Sequence, residues 1–134
     1  AFSEFDFVKV SDIEFKISGK NYTVKTLTEL KKEYSNDELY LIVGGDMFLC
    51  FETWKDYKKI LSMCKVCTAP RTVDELDLLY NYQNKIDKSK QNTVVFDIPV
   101  LAISSTEIRA DRDLLKCFVP EKVYDYIISK DLYQ

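Results

Sequence analysis

The stretch Ile103-Ser-Ser-Thr-Glu-Ile-Arg109 gathers three hydroxyls, a carboxylate and a guanidinium within seven positions. Ser104 and Glu107 stand at capping-box spacing, so a helix is expected to begin at the serines. A helix N-terminus presents unpaired N–H groups and a partial positive charge, which suits an anion such as phosphate. Ser104, Ser105 and Thr106 add hydroxyl donors at the same end, and Arg109 lies one turn on with a permanently charged fork. On local pattern alone, a well-capped helix with a surface arginine is the competing reading. The chain contains no histidine. Any chemistry such a turn serves therefore draws no imidazole from these 134 residues.

Three further positions carry candidate chemistry. Gly44-Gly45-Asp46 follows a short apolar run, and ligands of open α/β sheets bind outside the carboxyl ends of strands. A glycine pair admits a ligand close to the backbone, and Asp46 could accept hydrogen bonds from ribose hydroxyls. A turn with Asp46 as helix cap reads equally well. Trp54, the single tryptophan, could stack a heteroaromatic ring or simply fill the core. Arg71 follows Pro70 just after a candidate strand, at a strand end or in solvent. Cys64-Lys-Val-Cys67 is a C-x-x-C, but with no histidine a zinc site would need Cys50, Cys117 or carboxylates. Reduced, mostly buried cytosolic thiols are the plainer alternative.

The elements that must position these residues alternate between strand and helix. Residues 5–10 show mixed alternation and are expected to form a strand, with a turn at Gly19. Val24, Leu27, Leu30 and Tyr34 recur at helical spacing, which predicts an amphipathic helix from Thr23 to about Tyr34. Leu39–Val43 is a continuous apolar run, the pattern of a parallel strand buried on both faces. Helical pattern resumes around 48–51 and 54–63, and 65–69 is a candidate strand ended by Pro70. Thr72 and Glu75 have capping-box spacing for a helix with Leu76, Leu79 and Tyr80 on one face. Residues 84–92 read as a frayed helix end and loop, and 93–96 as a strand. Pro120 marks the first turn of a last helix with Val123, Tyr126 and Ile127 as its buried stripe. The expected fold is α/β, a parallel sheet flanked by helices, in one domain over residues 1–134.

Composition sets outer bounds. Hydrophobic residues make up 46% and charged residues 31%, as in soluble globular proteins. A net charge of −3 argues against nucleic acid held by a broad basic surface and leaves local basic patches open. The longest apolar run is far too short to cross a membrane, and no signal peptide is visible. The expected location is cytoplasmic.

These pieces, in this order, resemble the bacterial nicotinate-nucleotide adenylyltransferase family. The matching residues are Leu41-Ile-Val-Gly-Gly-Asp-Met47, Trp54, Arg71, Ile103 to Arg109, and the closing pattern from Val119-Pro120 to Leu132-Tyr133. The resemblance runs from about Gly19 to Tyr133, and pantetheine-phosphate adenylyltransferase would match the last element less well. It implies a Rossmann-like nucleotidyltransferase that joins nicotinate mononucleotide to the adenylyl group of ATP, releasing pyrophosphate in NAD biosynthesis, with Mg²⁺ accompanying ATP. It places Ser104, Ser105, Thr106 and Arg109 on the ATP phosphates and Gly44 and Asp46 against the nucleotide and its ribose. It places Trp54 on the pyridine ring, Tyr22 and Thr23 near the nicotinate carboxylate, and Arg71 near the mononucleotide phosphate.

The chain also departs from the family pattern. Lys25 stands where Tyr-Thr-x-Asp-Thr has its acid, and Thr72 where a proline usually follows the arginine. The family's G-x-F-x-P-x-H-x-G-H element, with the first strand and its helix, is absent. Two expectations follow. The first is the C-terminal part of such an enzyme, inactive alone, with no catalytic or metal-binding residue of its own and an exposed sheet side that favours a homo-oligomer or a missing N-terminal part. The second is a non-catalytic nucleotide-binding or protein-interaction module.

Overall fold

The computed structural model describes residues 2, 5–101 and 103–133. The chain falls into two compact units, Ser11–Leu101 and a second formed by Ala1–Val10 with Ala102–Gln134.

Within Ser11–Leu101 the order is α1 (Ile13–Lys16), α2 (Thr23–Glu33), β1 (Leu39–Ile42), α3 (Gly45–Leu49), a 3-10 turn (Phe51–Thr53), α4 (Tyr57–Met63), β2 (Cys64–Thr68), α5 (Glu75–Ile86) and β3 (Thr93–Val95). The strands form a parallel sheet in the order β1-β2-β3. Leu39 to Ile42 stand opposite Cys64 to Cys67, and Val66 to Thr68 opposite Thr93 to Val95. Strand side chains alternate between faces. Leu39, Leu41, Cys64 and Val66 join Val24, Leu27, Phe48, Phe51, Ile60, Leu61 and Leu79 in one core. The helix spacing predicted from Thr23 is realised, with Val24 and Leu27 as the buried rungs of α2.

β1 corrects one expectation. It is an edge strand among the described residues, and only alternate side chains are covered: Tyr40 is 54% and Ile42 80% exposed. A continuous apolar run looks the same in sequence whether one face or both are packed. β2, paired on both sides, carries the more continuous burial.

The sharp turn between Asp87 and β3 is organised by one carboxylate. Asp87 is buried and accepts hydrogen bonds from Ser89 Oγ at 2.7 Å, the Asn92 N–H at 2.8 Å and Thr93 Oγ1 at 3.0 Å. Burial by itself would raise its pKa, but these donors together hold it below the ordinary carboxylate value. The polar stretch 84–92 is a helix end followed by a loop, as expected, and this carboxylate orders the loop.

Two further expectations fail locally. Thr72 does not cap α5, whose cap position is Asp74 with no side-chain hydrogen bond. The Glu75 carboxylate instead accepts the Arg71 N–H at 2.6 Å. The helical run expected from Trp54 begins only at Tyr57, because Asp56 takes a left-handed conformation, φ 53°.

The second unit holds α6 (Ser105–Ala110), α7 (Arg112–Phe118) and α8 (Glu121–Ser129), with Leu115 and Ile127 buried. The Asp111 side chain caps α7 by accepting the N–H groups of Asp113 and Leu114. Residues 5–10 are not a strand. Val8 N–H donates to the Phe5 carbonyl at 3.0 Å, which closes a turn, and Phe7 is 85% exposed. Alternation alone does not make a strand where no neighbour pairs with it. Tyr126 is also 58% exposed, so the buried stripe of α8 narrows to Ile127 with half-buried Val123.

Candidate functional site

The carboxyl end of β1 runs directly into α3 through Gly44, the N-terminal flank of that helix with extended backbone. The ends of charged side chains occupy the space a Cβ would take at both glycines. A Cβ at Gly44 would lie 2.7 Å from Asp46 Oδ1 and 2.9 Å from an Arg71 guanidinium nitrogen. A Cβ at Gly45 would overlap the Glu75 carboxylate, coming 2.8 Å from its Cδ. Arg71 follows β2, the neighbouring strand, so the parallel register brings its guanidinium over the end of β1. It stands 3.7 Å from Asp46 Oδ1 with both side chains exposed, an ion pair of small energetic worth. Gly44, Asp46 and Arg71 thus form one constellation, and Glu75, which sequence reasoning passed over, is its fourth member. That constellation places exposed charges of both signs on a backbone that a ligand can approach closely.

A second group lies at the N-terminus of α2. Tyr22, Thr23 and Trp54 line one cleft of about 270 Å³, with Lys55 and Ile60 completing its walls. Trp54 is half-buried, its ring 5.2 Å from that of Phe51, so the core holds one side of the indole. Phe51 is itself fully buried, and Tyr82 accepts the Glu52 N–H through its hydroxyl at 3.0 Å, which ties this turn to α5. The two readings of Trp54, core residue and stacking platform, are therefore both satisfied in part.

Sequence reasoning missed the cations around Tyr22, of which Lys55 lines this cleft. The Lys55 Nζ stands 4.7 Å and the Lys20 Nζ 5.3 Å from the centre of the Tyr22 ring. Only nearness marked them in sequence, Lys55 next to Trp54 and Lys20 two positions before Tyr22. Tyr22 and Lys55 also border a larger cleft of about 1030 Å³ between α1, α2 and α4.

In the other unit, the predicted capping box is present. Ser104 Oγ accepts the Glu107 N–H at 3.1 Å, and the Glu107 carboxylate accepts the Ser104 N–H at 2.7 Å. The hydrogen bonds from Ser104 hold the Glu107 carboxyl below its usual pKa. Ser105 and Thr106 occupy the first turn, both exposed. Glu107 therefore engages the Ser104 N–H that would otherwise be available to an anion. The Arg109 guanidinium lies 5.8 Å from the centre of the Tyr133 ring.

The four cysteines do not converge on one position. Cys64 and Cys67 are buried, Cys50 is half-buried, Cys117 exposed, and all four are free. Three residues apart on a strand, Cys64 and Cys67 point to opposite faces. Burial, with a smaller contribution from Cys67, pushes the Cys64 thiol up to about 11. Among the described residues no group of three or more carboxylate, thiol or imidazole side chains converges on a metal position. A dedicated protein-borne Mg²⁺ cage does not fit them. No helix among the described residues is long and apolar enough to cross a membrane.

Comparison with known proteins bears on the same residues. A family model described as cytidylyltransferase-like matches residues 5–111. The protein named "Probable nicotinate-nucleotide adenylyltransferase" of Desulfitobacterium hafniense (strain Y51) is 36% identical over 138 residues, which cover 100% of this chain and 67% of that protein. The protein of the same name from Thermoanaerobacter sp. (strain X514) is 39% identical over 133 residues, covering 96% of this chain and 63% of its own length. Among solved structures, Plasmodium falciparum nicotinic acid mononucleotide adenylyltransferase complexed with APC superposes with a TM-score of 0.66 at 23% identity, over 87% of this chain and 60% of that one. The chain thus spans about two thirds of the length of these curated relatives. The structural likeness identifies the fold as the Rossmann-like nucleotidyltransferase fold, a parallel sheet flanked by helices.

Proposed function

Because the chain belongs to the nicotinate-nucleotide adenylyltransferase family, within the cytidylyltransferase-like group, we propose that it serves adenylyl transfer from ATP to nicotinate mononucleotide, yielding deamido-NAD and pyrophosphate. The observation that carries the reading is the shared cleft of Tyr22, Thr23 and Trp54. The family resemblance assigns these three residues to the pyridine end of the mononucleotide, and Trp54 joins the adjacent Tyr22 and Thr23 from 32 and 31 positions away. An indole backed by Phe51 offers its remaining side to a flat ring.

The roles follow from position. Trp54 stacks the pyridine, Tyr22 and Thr23 border its acid group, and Arg71 meets the mononucleotide phosphate. Gly44 and Asp46 lie against the nucleotide and its ribose. Ser104, Ser105, Thr106 and Arg109 hold the ATP phosphates, provided that Glu107 yields the Ser104 N–H. Residues 1–134 act as one nucleotidyltransferase domain; the family match, which includes residues of both compact units, supports this. A cytoplasmic location, Mg²⁺ arriving on the triphosphate and self-association belong to the same proposal, and the first two rest on the family alone. The exposed β1 side chains support the third.

The chemistry is in-line displacement at the α-phosphorus, in which positioning and charge stabilisation do most of the catalytic work. These 134 residues supply cations in lysine and arginine but no imidazole. They grip the substrates, and the histidine element that the family resemblance implies would be supplied from outside them. The test compares deamido-NAD formation by this chain with that of the full polypeptide its gene encodes. Activity of the full polypeptide, with the 134-residue chain lower by orders of magnitude, supports the proposal. Full family-like turnover by the short chain, or none by the gene product, would falsify it.

A further inference from the structure

We propose that Lys55 and Lys20, the latter positioned by Lys25, form a cationic collar at Tyr22 that selects by charge a pyridine bearing a carboxylate over one bearing a neutral carboxamide. The inference rests on the reading above that the Trp54 cleft takes a pyridine mononucleotide.

Three observations converge. Lys55 follows Trp54 directly, and the left-handed Asp56 breaks the chain there so that Lys55 turns to the cleft rather than into α4. Its ammonium stands 4.7 Å from the centre of the Tyr22 ring. Lys20 approaches the same ring at 5.3 Å. Lys25, on the first turns of α2, donates from Nζ to the carbonyls of Ser18 at 3.4 Å and Lys20 at 3.1 Å. It thereby fastens the loop that carries Lys20 back onto the helix. Gly19, at φ +78°, allows that loop to turn.

Among the described residues, none of these three ammonium groups has a carboxylate within 4 Å, whereas Lys16 and Lys32 on the neighbouring larger cleft are paired with Asp12 and Glu29. The collar thus places two ammonium groups without a close ion pair at a half-buried aromatic wall. An aromatic face holds such cations in place without neutralising them. A carboxylate entering the cleft would gain Coulomb energy chiefly from Lys55 on its wall and, from beyond Tyr22, less from Lys20; a carboxamide, carrying only a dipole, would gain far less. Lys25, which fastens the loop of Lys20, stands where the family pattern has an acid.

The decisive quantity is the ratio of dissociation constants for nicotinamide mononucleotide over nicotinate mononucleotide, measured calorimetrically on the 134-residue protein. The two ligands share ribose and phosphate, so the ratio isolates acid against amide. We expect the acid to bind more tightly, and the ratio to fall about fivefold in Lys55→Met, the upper range for one solvent-screened charge pair. Lys55→Arg should keep the ratio. Lys25→Met should lower it through the freed loop, and high salt should shrink it in the native protein. Lys55 is exposed, so its variants should fold normally. An unchanged ratio in Lys55→Met, or tighter binding of the amide, overturns the collar while leaving the pyridine cleft intact. Binding of neither ligand overturns the cleft assignment and the collar with it.

Discussion

The Glu75 carboxylate packs against Gly45 so closely that no Cβ fits between them. Glu75 can swing aside only by giving up the Arg71 N–H, which its Oε2 accepts at 2.6 Å. One contact thereby links the start of α3, after β1, to the start of α5, after β2. It fixes the backbone on which Gly44, Asp46 and Arg71 meet.

Gly45→Ala should therefore expel the carboxylate from the Arg71 N–H. The expected loss is about 1–2 kcal/mol, the worth of one charge-assisted hydrogen bond, discounted for partial exposure. In a Glu75→Ala background the same change should cost less than about 0.5 kcal/mol, since its opponent is gone. Urea unfolding of the two single variants and the double variant measures the coupling. Additive losses would show that Gly45 is required for some other reason.

Asp87 should carry much of the stability of the turn into β3. Asp87→Ala leaves the Asn92 N–H and the Thr93 hydroxyl without their acceptor, at a cost of about 1–3 kcal/mol. Its folded pKa lies below the ordinary value, so its contribution is fully present above the unfolded pKa of about 3.9 and disappears as pH falls through the lower folded value. The native protein should thus lose stability below about pH 4, and Asp87→Asn should flatten that limb of the profile. Chemical unfolding at pH 7, 4 and 3 makes the comparison; parallel native and variant curves would contradict it.

Thiol labelling should separate the cysteines by burial. Cys117 is exposed and should alkylate first, followed by half-buried Cys50. Cys64 and Cys67 should stay unmodified until the protein unfolds, because both are buried and their thiols are pushed above the usual pKa, chiefly by burial. Mass spectrometry of the native protein after a short exposure to iodoacetamide reads the order. Early modification of Cys64, or zinc retained by the pure protein, would count against two inert structural thiols.

Much of this architecture was legible in the residues, for identifiable reasons. The helix from Thr23 declared itself because its packed positions recur at helical spacing, and Ser104 with Glu107 formed the cap their spacing predicted. Thr72 and Glu75 have the same spacing, yet Glu75 is drawn to Arg71 and Gly45 instead. A tertiary contact outweighed a local one there. The apolar run at β1 revealed a strand but not the face left open, since burial depends on what packs from elsewhere. The alternation in residues 5–10 had no pairing partner and closed as a turn. At the site, Tyr22, Thr23 and Trp54 could be grouped only through resemblance, and Lys20 and Lys55 join them through the turns at Gly19 and Asp56. Nothing in a linear pattern announces a lysine placed over a ring.

The central claim is that the cleft of Tyr22, Thr23 and Trp54 receives the pyridine of a mononucleotide. Trp54 is the sole tryptophan, so its fluorescence reports on that cleft alone. Titration of the 134-residue protein with nicotinate mononucleotide, with ribose 5-phosphate as control, tests the claim most directly. Saturable quenching by the mononucleotide, absent with ribose 5-phosphate, is the predicted result. Calorimetric binding of the mononucleotide without any change in Trp54 emission would place the pyridine elsewhere and contradict the account.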